Sequence, residues 1–296
     1  MKRTIKVAGI QQKSFEDKQQ SLQHTADWIA KAANESADLV VLQELHATQY
    51  FCQTEDAKFF DLAEPLDGPT AQFLSAQAKQ HNVVIVGSIF ERRAAGIYHN
   101  TALVFERDGT LAGFYRKMHI PDDPGFYEKY YFTPGDEPGF EPIQTSVGKL
   151  GVMVCWDQWY PEGARLMALK GAEILIYPTA IGWDKDDTDQ EQVRQKDAWI
   201  GVQRGHSIAN NLPVIAINRV GYEADPSAQT SGIDFWGHSF ITGPQGEFLA
   251  LAEHQNETLV EAEIDLNRIE EVRRIWPYFR DRRIDEFTDL NKRYIN

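Results

Sequence analysis

Three side chains that can do covalent chemistry together each fall at the end of an expected strand: Glu44 in VVLQE, Lys117 in FYRKMHIPDD and Cys155 in GVMVCWD. A free thiol is only a few per cent thiolate at neutral pH and needs a base beside it. Glu44, shielded from water, can take that proton and later activate water. Lys117, kept as an ammonium, can steady the oxyanion formed when sulfur attacks a carbonyl carbon, helped by the backbone N–H groups after Cys155. The chemistry implied is hydrolysis of an amide-type bond through a thioester. Singly, each residue has an ordinary reading: a charge just past a strand is usually a solvated terminus, and a free cysteine often packs as a small hydrophobe. Together they point to one crevice, because ligands in layered α/β proteins gather beyond the carboxyl ends of parallel strands.

The elements that must carry these residues can be read from periodicity and punctuation. Residues 150–154 form an apolar strand, and Pro161 and Gly171 bracket a helix over 162–170, so Cys155 sits between strand and helix. Before it, strands are expected at 5–11, 38–42 and 83–90, helices at 18–36 and 70–81, and a hairpin of 98–106 with 110–116 across Arg107-Asp108-Gly109. Residues 120–142, rich in Pro and Gly, read as one long ordered loop of the kind that often carries function. After the Cys155 unit come strands at 173–177 and 213–218, a helix over 189–210, a hairpin of 236–242 with 247–251, a strand near 259–264 and a short helix.

The two halves repeat faintly. LVVLQE is matched by ILIYPT and NVVIVGSIF by LPVIAINRV, each pair followed by a hairpin. The simplest physical meaning is two similar sheets packed face to face with helices outside, a four-layer α-β-β-α sandwich. No linker divides the chain, so 1–296 is expected to be a single α/β domain closed by a polar, aromatic-bearing tail over 276–296.

Composition narrows the functional classes. The net charge of −14, from 30 Lys+Arg against 44 Asp+Glu, argues against nonspecific nucleic-acid binding and suits a cationic small substrate. Two cysteines, Cys52 and Cys155, cannot build a disulfide framework, and the start of the chain turns polar too soon for a secretory core; a cytoplasmic protein is expected. No apolar run approaches the roughly 18 residues of a membrane span. The eight histidines form no metal-binding pattern, and Walker, G-x-G-x-x-G and G-x-S-x-G signatures are missing from the sequence. His46 and His119, near Glu44 and Lys117 in sequence, read as hydrogen-bonded wall residues, and Cys52 as packing.

In order and spacing, the Glu, Lys and Cys blocks resemble those of the nitrilase, or carbon–nitrogen hydrolase, superfamily across nearly the whole chain. The resemblance implies a Glu44-Lys117-Cys155 triad, the four-layer sandwich, and neither metal nor organic cofactor. It also implies that Glu128, in GFYEKYYFTPGD, is a fourth polar residue positioning substrate and Lys117. HIPDDPGFYEKYYFTPGD and CWDQWYPEGARLMALKGAEILIYPTAIGW look most like the branch acting on small carbamoyl amines. A pocket for a protonated amine needs carboxylates and aromatic faces, and Asp122, Asp123, Asp157, Trp156, Trp159, Tyr130 and Trp183 are the candidates. A carbamoyl amino acid would instead need an Arg for its carboxylate, with Arg165 and Arg194 as possible holders. The resemblance further implies a homo-oligomer built from dimers, with the tail as an arm. A non-catalytic member that keeps the scaffold and binds a partner protein is the alternative from another class.

Overall fold

The computed structural model describes residues 3–184 and 186–295; Met1, Lys2, Lys185 and Asn296, the last residue of the tail, lie outside them. The first half of the chain runs β1 (Thr4–Gln11), α1 (Lys18–Asn34), β2 (Leu39–Val41), α2 (Pro69–His81), β3 (Val84–Ala94), β4 (Ile97–Phe105) and β5 (Leu111–Arg116). A long loop holding the four-residue helix α3 (Glu128–Tyr131) leads into the second half. There follow β6 (Ile143–Thr145), β7 (Gly148–Val152), α4 (Pro161–Leu169), β8 (Ile174–Thr179), β9 (Gly182–Asp184), α5 (Asp189–Asn210) and β10 (Val214–Asn218). The chain ends with β11 (Val220–Glu223), β12 (Ile233–Trp236), β13 (Phe240–Thr242), β14 (Phe248–Leu251), β15 (Thr258–Asp265) and α6 (Asn267–Ile275).

The described residues form two six-stranded sheets, ordered β15-β1-β2-β3-β4-β5 and β14-β13-β10-β8-β7-β6. The faint sequence repeat is written out in their topology. Three parallel strands, β1-β2-β3, continue into the antiparallel pair β4-β5, and β7-β8-β10 continue likewise into β13-β14. Each set carries one antiparallel strand, β15 or β6, on its other edge.

Side-chain alternation explains the layers. Leu39 and Val41 of β2 face the second sheet, whereas Val40 and the following Leu42 pack on Ile29 and Ala32 of α1 and Leu74 and Ala78 of α2. The larger core continues from that inner face through the second sheet to Ala164 and Met167 of α4 and Trp199 of α5. Gly9 marks the closest approach of the sheets: a Cβ there would lie 2.0 Å from Ile217 Cδ1. The helices start where the sequence allows it. Asp17 caps α1 by accepting the Gln20 N–H at 2.7 Å, Thr188 caps α5, and Pro69 and Pro161 open α2 and α4. The expected four-layer α-β-β-α sandwich is the observed architecture.

One expectation needs correction. Residues 236–242 are not one strand, because Gly237 and His238 both sit at positive φ (58° and 51°) and break the run. The bend sends Trp236 into a separate three-stranded sheet, β11-β12-β9, and leaves β13 in the second large sheet. Glycine suits 237 because of its positive φ, and a Cβ there would also press on the Gln11 amide at 2.8 Å. Beyond α6, the tail carries short turns and exposed Ile284, Leu290 and Tyr294, while Phe279 lies under the guanidinium groups of Arg165 and Arg273. Among the described residues no helix is long and apolar enough to cross a membrane.

Candidate active site

Strand direction brings the reactive side chains to one end of the sandwich. β2 and β7 end there, and β5, running with β3, delivers Lys117 to the same edge. Lys117, Glu44 and Glu128 are fully buried and in contact: Lys117 Nζ donates to Glu44 Oε1 at 2.8 Å and to Glu128 Oε2 at 2.6 Å. Asn100 on β4 donates to the same Glu44 oxygen at 2.6 Å, leaving Glu44 Oε2 with no partner among the described residues. Glu128 opens α3, and its other oxygen accepts from the Tyr50 hydroxyl at 2.7 Å. The loop can lie on the end of β5 because residue 135 is glycine. Its N–H reaches the Lys117 carbonyl at 2.8 Å, and a Cβ there would stand 2.2 Å from the Arg116 carbonyl oxygen.

Cys155 begins a 3-10 turn, Cys155–Trp159, and is held at φ 42°, a region that disfavours a β-carbon and persists only where surroundings over-determine it. The determining group is Asp157. Its buried carboxylate accepts from the Val154 N–H (3.0 Å), the Tyr115 hydroxyl (2.9 Å) and the His119 N–H (3.0 Å). One side chain thus ties the Cys155 turn to the segment just after Lys117. The first N–H groups of the turn have no partner within it, as at any helix start. The Cys155 thiol donates to the Ala180 carbonyl at 3.7 Å.

The electrostatics assign protons. Burial first, and then the negative field of Glu44, push the Cys155 thiol well above its ordinary value, with Lys117 opposing. Burial works against the Lys117 ammonium, but Glu128 and Glu44 outweigh it and hold its pKa well above the usual lysine value. Burial raises the Glu128 carboxyl to about 7 against the pull of Lys117, with Glu44 adding to the rise. The resting site therefore holds a thiol and an ammonium, beside a Glu44 oxygen that has no hydrogen-bond partner among the described residues.

Cys155 and Glu128 stand at the inner end of a cavity of about 650 Å³. Of the residues singled out from sequence for the distal amine, Trp156, Trp159 and Asp123 line it. The other four do not. Asp157 is consumed by the stapling just described, and Asp122 is exposed beside Asp123. Tyr130 is turned outward by α3, two residues from the inward Glu128, and packs on Phe60. Trp183 donates to the Gln192 carbonyl and packs on Trp236, which itself lines the cavity. The outer wall adds Asp184, Asp187, Glu191 and Arg194, while Arg165 is occupied at the Ala209 carbonyl. Sequence reasoning missed Asn100, Tyr50 and Arg219. Arg219 alone carried a signal, a charge directly after the apolar strand 213–218, the pattern that picked out Glu44 and Lys117.

Comparison with known proteins agrees with this geometry. The carbon-nitrogen hydrolase family matches residues 6–274. A protein of Solanum lycopersicum named N-carbamoylputrescine amidase is 43% identical over 291 residues, 97% of this chain and 95% of that one. The citrullinase of Francisella tularensis subsp. tularensis (strain SCHU S4 / Schu 4) is 39% identical, covering 98% and 99% of the two chains. The crystal structure of a carbon-nitrogen hydrolase from Helicobacter pylori G27 superposes with a TM-score of 0.96 at 58% identity, over 99% of this chain and all of that one. With the fold, the order of the buried Glu, Lys and Cys, and full-length relatives in agreement, the chain belongs to the carbon-nitrogen hydrolase family.

Proposed function

We propose that the protein hydrolyses N-carbamoylputrescine to putrescine, carbon dioxide and ammonia, in a cytoplasmic route from agmatine to polyamines. The observation that carries the mechanism is the Lys117 ammonium held between two buried carboxylates, one with an idle oxygen, in a site whose thiol is kept protonated. Glu44 takes the Cys155 proton as sulfur attacks the carbamoyl carbon, and Lys117 with the N–H groups of the following turn steadies the oxyanion. Collapse breaks the carbon–nitrogen bond to putrescine, which leaves with the proton from Glu44. Glu44 then deprotonates water, which attacks the S-carbamoyl carbon. The thiol is restored, and carbamic acid departs to become carbon dioxide and ammonia.

The outer wall supports a cationic substrate. Asp123, Asp184, Asp187 and Glu191 surround it, and Arg194 is drawn to Glu191 at 3.1 Å. Arg194 also favours a second reading, a carbamoyl amino acid whose carboxylate it would grip; the full-length likeness to a citrullinase points the same way. Ammonia release from N-carbamoylputrescine and from citrulline, measured side by side, decides between them. Faster turnover of citrulline overturns the amine. No release from either, together with full activity nowhere among simple amides, returns the protein to a binding role. Cys155→Ala is expected to abolish turnover with the fold intact. Assembly belongs to the same proposal: the exposed apolar side chains of the tail, Ile284, Leu290 and Tyr294, suit pairing of subunits into a homo-oligomer built from dimers.

A further inference from the structure

The loop from Glu44 to Tyr50 touches both groups that flank Lys117: it supplies Glu44 itself, and its Tyr50 hydroxyl donates to Glu128. This loop leaves β2 through Leu45 at φ 49°, a strained conformation for a leucine. Ser88 accepts the Leu45 N–H at 3.1 Å, and the remaining support comes from the other half of the chain. Arg219, fully buried between β10 and β11, donates through Nη2 to the carbonyls of Glu44 (2.9 Å) and Leu45 (3.1 Å), and through Nη1 to that of Thr48 (3.2 Å). Its Nη1 also pairs with Glu223 at 2.7 Å, and the second Glu223 oxygen accepts the Tyr50 N–H at 2.6 Å. The guanidinium stacks over the rings of Phe235 and Tyr50, at 5.2 and 5.9 Å.

We propose that Arg219, with Glu223, is a positioning residue for the reaction: it fixes the backbone at both ends of the 44–50 loop and so sets the approach of Glu44 to the Cys155 thiol. Only a guanidinium suits the task. Three carbonyls and a carboxylate are met by one planar fork of donors, which the single ammonium of lysine cannot reproduce. A charge buried merely to hold two sheets together has no need to converge on the carbonyl of the base itself. The inference rests on the reading of Glu44 as general base.

The test compares Arg219→Lys and Glu223→Gln with Glu44→Gln, below the unfolding temperature of each. Two quantities are read: steady-state kinetics on N-carbamoylputrescine, and the pH dependence of Cys155 alkylation by chloroacetamide. Arg219→Lys is expected to lower kcat about a hundredfold, the size of a misplacement near 1 Å, with KM within about threefold. The alkylation profile is expected to move to lower pH, as in Glu44→Gln, because withdrawing the Glu44 carboxylate relieves the negative field that helps hold the thiol up; Glu223→Gln does the same to a smaller degree. Should Arg219→Lys fail to fold, Glu223→Gln decides on the same two readouts. Wild-type kcat and an unshifted alkylation profile in a folded variant, with only the melting temperature lowered, overturn the proposal. An unshifted profile in Glu44→Gln would instead sink the assignment of the base.

Discussion

Arg116 and Lys117 are neighbours at the end of β5, both buried and both paired with carboxylates, yet they are opposite kinds of ion pair. Arg116 meets Glu91 through two parallel bonds of 2.8 and 2.6 Å, Thr101 donates to the same carboxylate at 2.6 Å, and the guanidinium also reaches the Glu137 carbonyl. Burial alone would raise the Glu91 carboxyl, but these hydrogen bonds outweigh it and leave its pKa lowered. Lys117 has one charge for two carboxylates. One of them keeps an oxygen idle and the other is raised to about 7. The first pair is saturated and can only hold the strand ends together. The second retains unspent proton affinity, and a buried site in that condition is where acid–base work can occur.

Substitutions at the two neighbours should separate these roles. Lys117→Met is expected to lower kcat by about a thousandfold or more, the upper range for removing an oxyanion donor. Arg116→Met is expected to cost about 3–5 kcal/mol of stability by stranding Glu91, while the folded enzyme keeps its kcat. Steady-state assays at low temperature and denaturant melts distinguish the outcomes; equal losses of kcat in both variants would erase the contrast. The carboxylates should divide likewise. Glu44→Gln is expected to slow turnover by about 10²–10⁴-fold. Glu91→Gln is expected to lower stability by about 1.5–3 kcal/mol with turnover retained.

Tyr50→Phe sharpens the comparison from within the reactive cluster. Burial sets the Glu128 carboxyl near 7, and the Tyr50 hydrogen bond acts to lower it. When Glu128 takes a proton, Lys117 is left with Glu44 alone, and its undivided positive charge lowers the proton affinity of the Glu44 carboxylate, the base of the proposed mechanism. Activity should therefore fall below about pH 7. Removing the hydroxyl should move that acid limb upward, as read from kcat/KM against pH, and a limb that stays in place would detach it from Glu128.

Local pattern carried much of this to the surface of the sequence. The pair of similar sheets was legible because LVVLQE and ILIYPT read as strands buried on both faces, and such runs are recognisable without partners. Glu44, Lys117 and Cys155 stood out because each falls at the end of an expected strand. Asp157 was misread for the converse reason. A carboxylate two residues after a nucleophile looks available for a ligand, and only the positions of Tyr115 and His119, 42 and 38 residues away, show that it is already engaged. Tyr130 and Trp183 failed through orientation, which residue type does not encode. Asn100, in the middle of a strand, acquires its role solely from the register that sets it beside Glu44.

His46 offers the smallest and most specific prediction, since it is a buried titratable group with no counter-charge in contact among the described residues. Burial, followed by the positive fields of Arg219 and Lys18, lowers its pKa to about 3 against a weaker upward pull from the Ser88 backbone; neither ring nitrogen makes a well-formed hydrogen bond to a described residue, so the hydrogen-bonded wall role expected from sequence is not met by His46. The unfolded chain, with an ordinary histidine near 6.5, binds a proton that the folded protein refuses. Stability from this residue is thus fully present above pH 6.5 and drains away as pH falls toward 3, by about 1.4 kcal/mol per unit at most. His46→Leu, of similar bulk, should leave stability at pH 7 little changed and flatten the decline between pH 6.5 and 3. Parallel urea melts across that range measure the slope. An unchanged slope would mean that His46 finds a way to charge inside the fold.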